Sequence, residues 1–102
     1  MLIDDGRGKL IDVRQEIIDF AIQMEIVMSE KDEEKGDSWK RVDIIDLQEQ
    51  KDEVDREIVD VFDYSTENPE NMIDRDTSKL INLMIDQTNY NMMLWNRLKE
   101  EN

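Results

Sequence analysis

Apolar side chains recur every three or four positions over three long stretches of the chain, which is the period of an amphipathic α-helix. The first stretch covers residues 10–31, the second covers residues 43–64, and the third runs from Asp76 or Thr77 to about Lys99. Nowhere do apolar and polar residues alternate with period two, so we expect no β-sheet. The pattern predicts an all-α fold with three main amphipathic helices.

The apolar stripe of the first helix is wider than a single neighbouring helix would cover. Its positions are Leu10, Val13, Ile17, Ile18, Phe20, Ala21, Ile22, Met24, Ile26, Val27 and Met28. A wide stripe indicates contact with more than one neighbour. A chain of 102 residues buries limited apolar surface by itself. We therefore expect these helices to form an oligomeric helical bundle.

The segments outside the helices are rich in charge, glycine or proline. Residues 1–8 contain two glycines and are interpreted as a flexible leader, which places a single domain at residues 9–102. Residues 29–37 are highly charged and predict a loop after the first helix. Residues 65–76 contain an Asn-Pro pair and predict a second loop, with a short helical turn at residues 70–73.

The charge of the chain narrows the class of partner. The 27 acidic and 13 basic residues give a formal net charge of -14. Binding a phosphate backbone needs clustered Lys and Arg, so duplex nucleic acid is disfavoured, as is an anionic membrane surface. A nucleotide stays open, because a bound divalent ion can reverse the local sign of the potential.

The absence of two residue types narrows the chemistry. The chain has no cysteine and no histidine, which excludes disulfides, thiolate metal sites and imidazole acid–base catalysis. Any catalysis would depend on carboxylates, other polar side chains or a metal ion. No apolar run approaches the roughly 20 residues of a membrane-spanning helix, so we expect a cytoplasmic protein without membrane contact.

The second helix carries acidic side chains at helical spacing. Glu49 and Glu53 are four residues apart and therefore share a helix face. Mg²⁺ prefers oxygen ligands and often takes one or two protein carboxylates, so this pair is a suitable set of protein ligands. A solvated charged face is the competing interpretation. Gln50 interrupts the apolar seam at the same place, which indicates either a solvent-facing turn or a wet pocket.

Polar residues interrupt the third helix as well. Asp86 lies in a largely apolar stretch, where burying a carboxylate is costly unless it is paired or bound to a metal. Asn82 and Asn89, at four and three positions from Asp86, share its helix face. These three side chains form either a ligand site or a polar seam that fixes the register of two helices.

The loop after the first helix contains the sequence KGDSW at residues 35–39. Trp39 would serve either as a core anchor or as a surface against which a nucleotide base lies. Lys35, Lys40 or Arg41 would then be near the phosphates.

Taken in order, these segments resemble the MazG-like all-α nucleoside triphosphate pyrophosphohydrolases, closest to small phage and bacterial members that act on dATP, dGTP and related nucleotides. The similarity covers roughly residues 10–98. It is carried by residues 17–25 (IIDFAIQME), residues 35–39 (KGDSW), residues 47–54 (LQEQKDEV) and residues 86–93 (DQTNYNMM). The last segment is similar to the family's Asp-Val-Ala-Asn-Phe-Ala-Met-Met.

The resemblance implies a Mg²⁺ site, with Mn²⁺ as the alternative ion. Glu53 and Asp86 match two of the family's metal carboxylates, whereas Gln50 and Leu83 stand where further carboxylates are expected. Glu49 would substitute for one of these groups from the preceding turn. Asn82 would replace the other, beside Leu83.

The resemblance also implies a homodimer or homotetramer and a reaction. A metal-activated water would attack the α-phosphorus and release pyrophosphate, with Glu49 or Glu53 as the base. Lys35, Trp39, Gln50, Asn82 and Asn89 would contact the nucleotide. Two other hypotheses stay open. In the first, the chain holds a nucleotide or nucleotide signal without cleaving it. In the second, it is a helical interaction module whose acidic surface meets a basic protein.

Overall fold

The computed structural model describes residues 1–36, 38–67 and 74–101, and in these ranges the fold is dominated by three α-helices. The elements, in chain order, are β1 (Leu2–Asp4), β2 (Leu10–Asp12), α1 (Gln15–Lys35), a 3₁₀ turn (Ser38–Lys40), α2 (Ile44–Glu67) and α3 (Asp74–Glu101). The predicted all-α class with three main helices is confirmed at this level.

The expectation of no sheet is wrong, because β1 and β2 form an antiparallel hairpin in which Ile3 lies opposite Ile11. Asp4 and Asp5 shape its turn, since each accepts a hydrogen bond from the backbone N–H two residues further on, at 2.8 and 2.7 Å. Gly6 adopts a φ of 86°, which side chains other than hydrogen disfavour. Strands of three residues are too short to show alternation in the sequence.

The ends of the helices differ from the predicted ones by several residues. Arg14 has an extended backbone (ψ 143°), so α1 begins at Gln15 and not near Leu10. The helix continues through the predicted loop at residues 29–37 as far as Lys35. It stops at Gly36, whose φ of 56° is left-handed and whose N–H still bonds to the Asp32 carbonyl at 2.9 Å.

The second connection is shorter than predicted, because α2 continues to Glu67 and α3 already begins at Asp74. The helical turn that we predict at residues 70–73 lies outside the described residues. The boundary between a flexible leader at residues 1–8 and a domain at residues 9–102 stays a prediction.

In the part of the chain that the structure describes, the apolar core includes two clusters, both of which lie against α3. One joins all three helices through Met28, Leu47 and Met93. The other joins α2 and α3 through Ile58, Leu80 and Leu83. Helix α3 is therefore the central element, with α2 packed along it and α1 attached mainly through one cluster.

Helix α1 leaves most of its wide apolar stripe uncovered. Among its described side chains only Met28 is buried, whereas Ile17, Ile22 and Ile26 are 58%, 50% and 46% exposed. The predicted oligomeric bundle stays a prediction, and these uncovered positions favour it.

In the part of the chain that the structure describes, no helix combines the length and the apolar character needed to cross a bilayer.

Candidate functional site

A cavity of about 330 Å³ opens between the C-terminal half of α1, the start of α2 and the middle of α3. Its apolar floor is part of the three-helix cluster and includes Met28, Leu47 and Met93. Its other lining residues are the aromatic side chains of Trp39 and Tyr90, the charged side chains of Lys31 and Asp32, and Gly36, Ser38, Val42 and Gln50. The cavity therefore combines aromatic, cationic and polar groups over an apolar base.

Trp39 is positioned by the 3₁₀ turn and by a side chain of α3. The Nη1 atom of Arg97 donates to the backbone carbonyl of Trp39 at 3.0 Å and to that of Val42 at 2.6 Å. One guanidinium thus holds both sides of the segment that joins the turn to α2. Because the donor is charged and partly buried, these bonds are stronger than ordinary neutral ones. They fix the backbone from which the Trp39 ring projects.

Lys31 is the cation of the cavity wall. Its Nζ donates to Oδ1 of Asp86 at 3.3 Å and lies 5.6 Å from the centroid of the Tyr90 ring. The side chains of Lys31 and Asp86 are 42% and 32% exposed, so the pair remains in contact with solvent. A half-exposed pair of this kind is held weakly. A phosphate arriving at the cavity can therefore compete with Asp86 for the ammonium group.

The structure brings together only part of the predicted site. Trp39 and Gln50 line the cavity. Asn82, Glu49 and Glu53 are exposed and do not line it. The side chain of Lys35 lies outside the described residues.

Asn89 occupies a different environment from the one that a ligand-contacting residue would have. It is 1% exposed, and its Nδ2 donates to the backbone carbonyl of Met24 at 3.4 Å. Its Oδ1 is buried and has no hydrogen-bond partner among the residues that the structure describes. Its amide therefore lies against α1 and outside the cavity lining. Of the two sequence-based interpretations, this contact favours the polar seam between helices.

In residues 1–36, 38–67 and 74–101, no group of three or more acidic side chains is close enough to hold a metal ion. Asp86 is paired with Lys31, and Glu53 is exposed on α2. Mg²⁺ often takes only one or two carboxylates and completes its shell with water and phosphate oxygens. The Mg²⁺ site with Glu49, Glu53 and Asp86 as ligands therefore stays a prediction.

Among the charged and aromatic residues of the cavity lining, three have no counterpart in the sequence prediction of the site: Lys31, Asp32 and Tyr90. Lys31 and Asp32 follow the core residue Met28 at three and four positions, which is the spacing of one helix face. Tyr90 stands four residues after Asp86 and shares its face. The spacing from the core position Met28 is the sequence signal for Lys31 and Asp32, whereas the signal for Tyr90 is the helix face that it shares with Asp86.

A second polar group links α2 to α3 outside the cavity. The carboxylate of Asp55 accepts from Lys51 Nζ and from Gln87 Nε2, both at 2.7 Å. These bonds, chiefly the one from Lys51, hold the pKa of Asp55 below its ordinary value. The group joins the two helices, and none of its three residues lines the cavity.

Comparisons with protein-family models, with curated proteins and with solved structures find no match to this chain.

Proposed function

We propose that the chain binds a nucleotide in the cavity beside Trp39. The observation that carries this proposal is the presence of two aromatic rings and one ammonium group around the same cavity. A base stacked on an aromatic side chain gains roughly 1–3 kcal/mol. An ammonium group is a point charge that binds phosphate oxygens. Trp39 would therefore contact the base, while Lys31 would contact a phosphate.

The size of the cavity supports the same proposal. Ligand pockets commonly measure about 300–1,000 Å³, and this cavity of about 330 Å³ is at the lower limit. It would enclose the base and leave the phosphates near the solvent-exposed Lys31–Asp86 pair. Gln50 provides amide donors and an acceptor for polar atoms of the base or sugar.

Cleavage of the nucleotide is a further step that the MazG-like resemblance implies. The product would be a nucleoside monophosphate and pyrophosphate, with Mg²⁺ or Mn²⁺ required and with Glu49 or Glu53 as the base. Binding without cleavage is the alternative, and the Lys31–Asp86 pair together with the exposed Glu53 favours it. Asp86 has a role in both cases. It would be a metal ligand if the nucleotide is cleaved, and it would orient Lys31 if the nucleotide is only bound.

One screen separates these possibilities. Deoxynucleoside and nucleoside triphosphates are added with Mg²⁺ or Mn²⁺, while binding heat and pyrophosphate release are measured in parallel. If the chain cleaves the nucleotide, pyrophosphate is released, and this release is lost in the Glu53→Ala and Asp86→Ala variants. Asp52→Ala, which removes another exposed carboxylate of α2, is the matched control and should leave turnover unchanged. Heat without product supports binding alone. The absence of both signals for every nucleotide would contradict the proposal.

We also propose that the chain forms a homo-oligomer, a dimer or a tetramer, through the face that α1 shares with the hairpin. This face is lined by Met1, Ile3, Val13, Ile17, Ile18, Ala21, Ile22 and Glu25. It contains a single charged side chain, so two copies of net charge -14 can meet there with little local repulsion. In sedimentation experiments Ile22→Glu should reduce the oligomer to a smaller species. An unchanged sedimentation coefficient would contradict this interface.

A further inference from the structure

A groove between the N-terminal half of α1 and the first half of α3 has an apolar floor and an acidic rim. Its floor is formed by Phe20, Ile81, Met84 and Ile85, and Glu16 and Asp19 lie along the α1 side. Its volume is about 440 Å³, and it shares no lining residue with the nucleotide cavity or with the hairpin face. It is therefore a separate surface, independent of the proposed nucleotide site.

The floor of this groove exposes large apolar side chains. Ile81, Phe20 and Met84 are 57%, 39% and 38% exposed, while Ile85 is buried at the bottom. Ile81 and Ile85 are one helical turn apart, so the groove offers room for two apolar side chains separated by the same distance. Met84 adds an unbranched and adaptable side chain, which is typical of surfaces that accept helices.

The charge around the groove identifies the chemistry of the occupant. Asp19 accepts a hydrogen bond from Gln15 Nε2 at 2.8 Å, which holds its carboxylate at the rim without neutralising it. Glu16 is exposed beside it. The chain as a whole carries a net charge of -14. A second copy would bring more negative charge to this rim, whereas a cationic segment would be attracted to it.

We propose that the groove between α1 and α3 binds a cationic amphipathic helix of another protein. Two apolar side chains of that helix, one turn apart, occupy the floor beside Phe20, Ile81 and Met84. Its Lys or Arg side chains lie along Glu16 and Asp19. The affinity depends on both parts, because the apolar floor gives the contact area and the acidic rim selects against acidic partners.

The test uses the full chain and a fluorescently labelled synthetic peptide of Leu, Ala and Lys, with Leu at successive helical turns. Two control peptides accompany it, one with the same composition in shuffled order and one with Glu in place of Lys. Fluorescence anisotropy should show saturable binding of the cationic amphipathic peptide and weaker binding of both controls. Equal binding of the shuffled peptide would overturn the proposal, because net charge alone would then explain the signal.

Variants of the protein locate the contact. Met84→Glu and Ile81→Glu change exposed side chains and should weaken binding about tenfold or more, since each removes an apolar contact. Val59→Glu is the matched control, because Val59 is 55% exposed on α2 and lines neither the groove nor the cavity. Circular dichroism checks that all three variants remain helical.

Two outcomes of this variant series would overturn the proposal. One is an equal loss of affinity in Val59→Glu, which would show that the effect of an introduced Glu does not depend on its position in the groove. The other is a smaller sedimentation coefficient in Ile81→Glu, which would show that a second copy of the chain covers the groove. Neither outcome would affect the nucleotide cavity, which lies elsewhere.

Discussion

At the scale of single residues, Asn89 shows what a polar side chain does inside an apolar stretch of helix. The sequence allowed either a ligand site or a polar seam, and the buried contact with the Met24 carbonyl favours the seam. Oδ1 is buried without a hydrogen-bond partner in the described part of the chain, which costs free energy of folding. A polar group of this kind fixes the relative position of two helices at the expense of stability.

The Asn89→Leu variant should therefore be more stable than the natural chain. Leu has a similar volume and removes the unpaired oxygen, so the free energy of unfolding should rise by about 1–3 kcal/mol. Urea denaturation monitored by circular dichroism measures the change. Asn82→Leu alters an exposed Asn on the same helix and should stay within about 0.5 kcal/mol of the natural chain. A destabilised Asn89→Leu variant would contradict the claim that the buried Oδ1 lowers stability.

Asp55 makes the stability of the fold dependent on pH. Its pKa is lowered in the folded state, mainly by the Lys51 hydrogen bond, so the unfolded chain binds a proton more readily. The resulting stability is present above the ordinary pKa of about 4 and is lost as the pH falls through the lower folded value.

The Asp55→Asn variant provides the measurement. At neutral pH it should unfold at lower urea concentration than the natural chain, and the two should converge as the pH falls below about 4. Lys51→Met removes the principal hydrogen-bond donor to Asp55 and should also unfold at lower urea concentration at neutral pH. A difference between Asp55→Asn and the natural chain that stays constant across the acid range would show that Asp55 does not carry this dependence.

At the scale of elements, the long helices are predictable because their apolar period persists over many turns. The ends of these helices are harder to predict. Residues 29–35 are charged and suggest a loop, yet Glu and Lys have good helix propensity and α1 continues to Lys35. The hairpin of β1 and β2 depends on side chain to backbone hydrogen bonds of Asp4 and Asp5, which leave no periodic signal in the sequence.

The cavity is also partly visible in the sequence. Gln50 is predicted because it interrupts the apolar seam of the second helix, and Trp39 is predicted because it stands in the loop sequence KGDSW. Both residues line the cavity. Lys31 and Tyr90 belong to it because of how α1 is rotated against α3. Periodicity identifies the face of each helix, but the rotation and the axial shift between helices depend on packing in the Met28, Leu47 and Met93 cluster.

A substitution of Arg97 tests whether α3 positions the backbone of Trp39 at the cavity. Arg97→Met removes the donor that holds the Trp39 and Val42 carbonyls, while keeping much of the apolar stem. We expect a loss of about 1–3 kcal/mol in the free energy of unfolding and a weaker affinity for nucleotide. Denaturation and calorimetry measure the two effects. Arg56→Met, an exposed arginine of α2, is the control and should change neither quantity. Undiminished nucleotide affinity in Arg97→Met would contradict a positioning role.

At the scale of the whole molecule, a small divided core leaves three candidate functional surfaces open. The two apolar clusters both lie against α3, while the hairpin face, the groove between α1 and α3 and the cavity beside Trp39 remain accessible. The uneven distribution of charge separates their proposed roles. The hairpin face is poor in charge and fits another copy, the groove has an acidic rim, and Lys31 gives the cavity a local cation.

The emission of Trp39 is the most direct measurement of nucleotide binding in the cavity. The chain has two tryptophans, and Trp95 is 61% exposed outside the cavity lining, so Trp95→Phe leaves Trp39 as the single reporter. Titration of this variant with a nucleoside triphosphate should change the emission saturably, because the base would lie against the indole. Inorganic tripolyphosphate, which has no base, should change it much less.

Trp39→Phe, which keeps only Trp95, is the control and should show no saturable change with the same nucleotide. Emission from Trp39 that stays constant up to about 1 mM nucleotide, in a protein that circular dichroism shows to be folded, would contradict binding at this cavity.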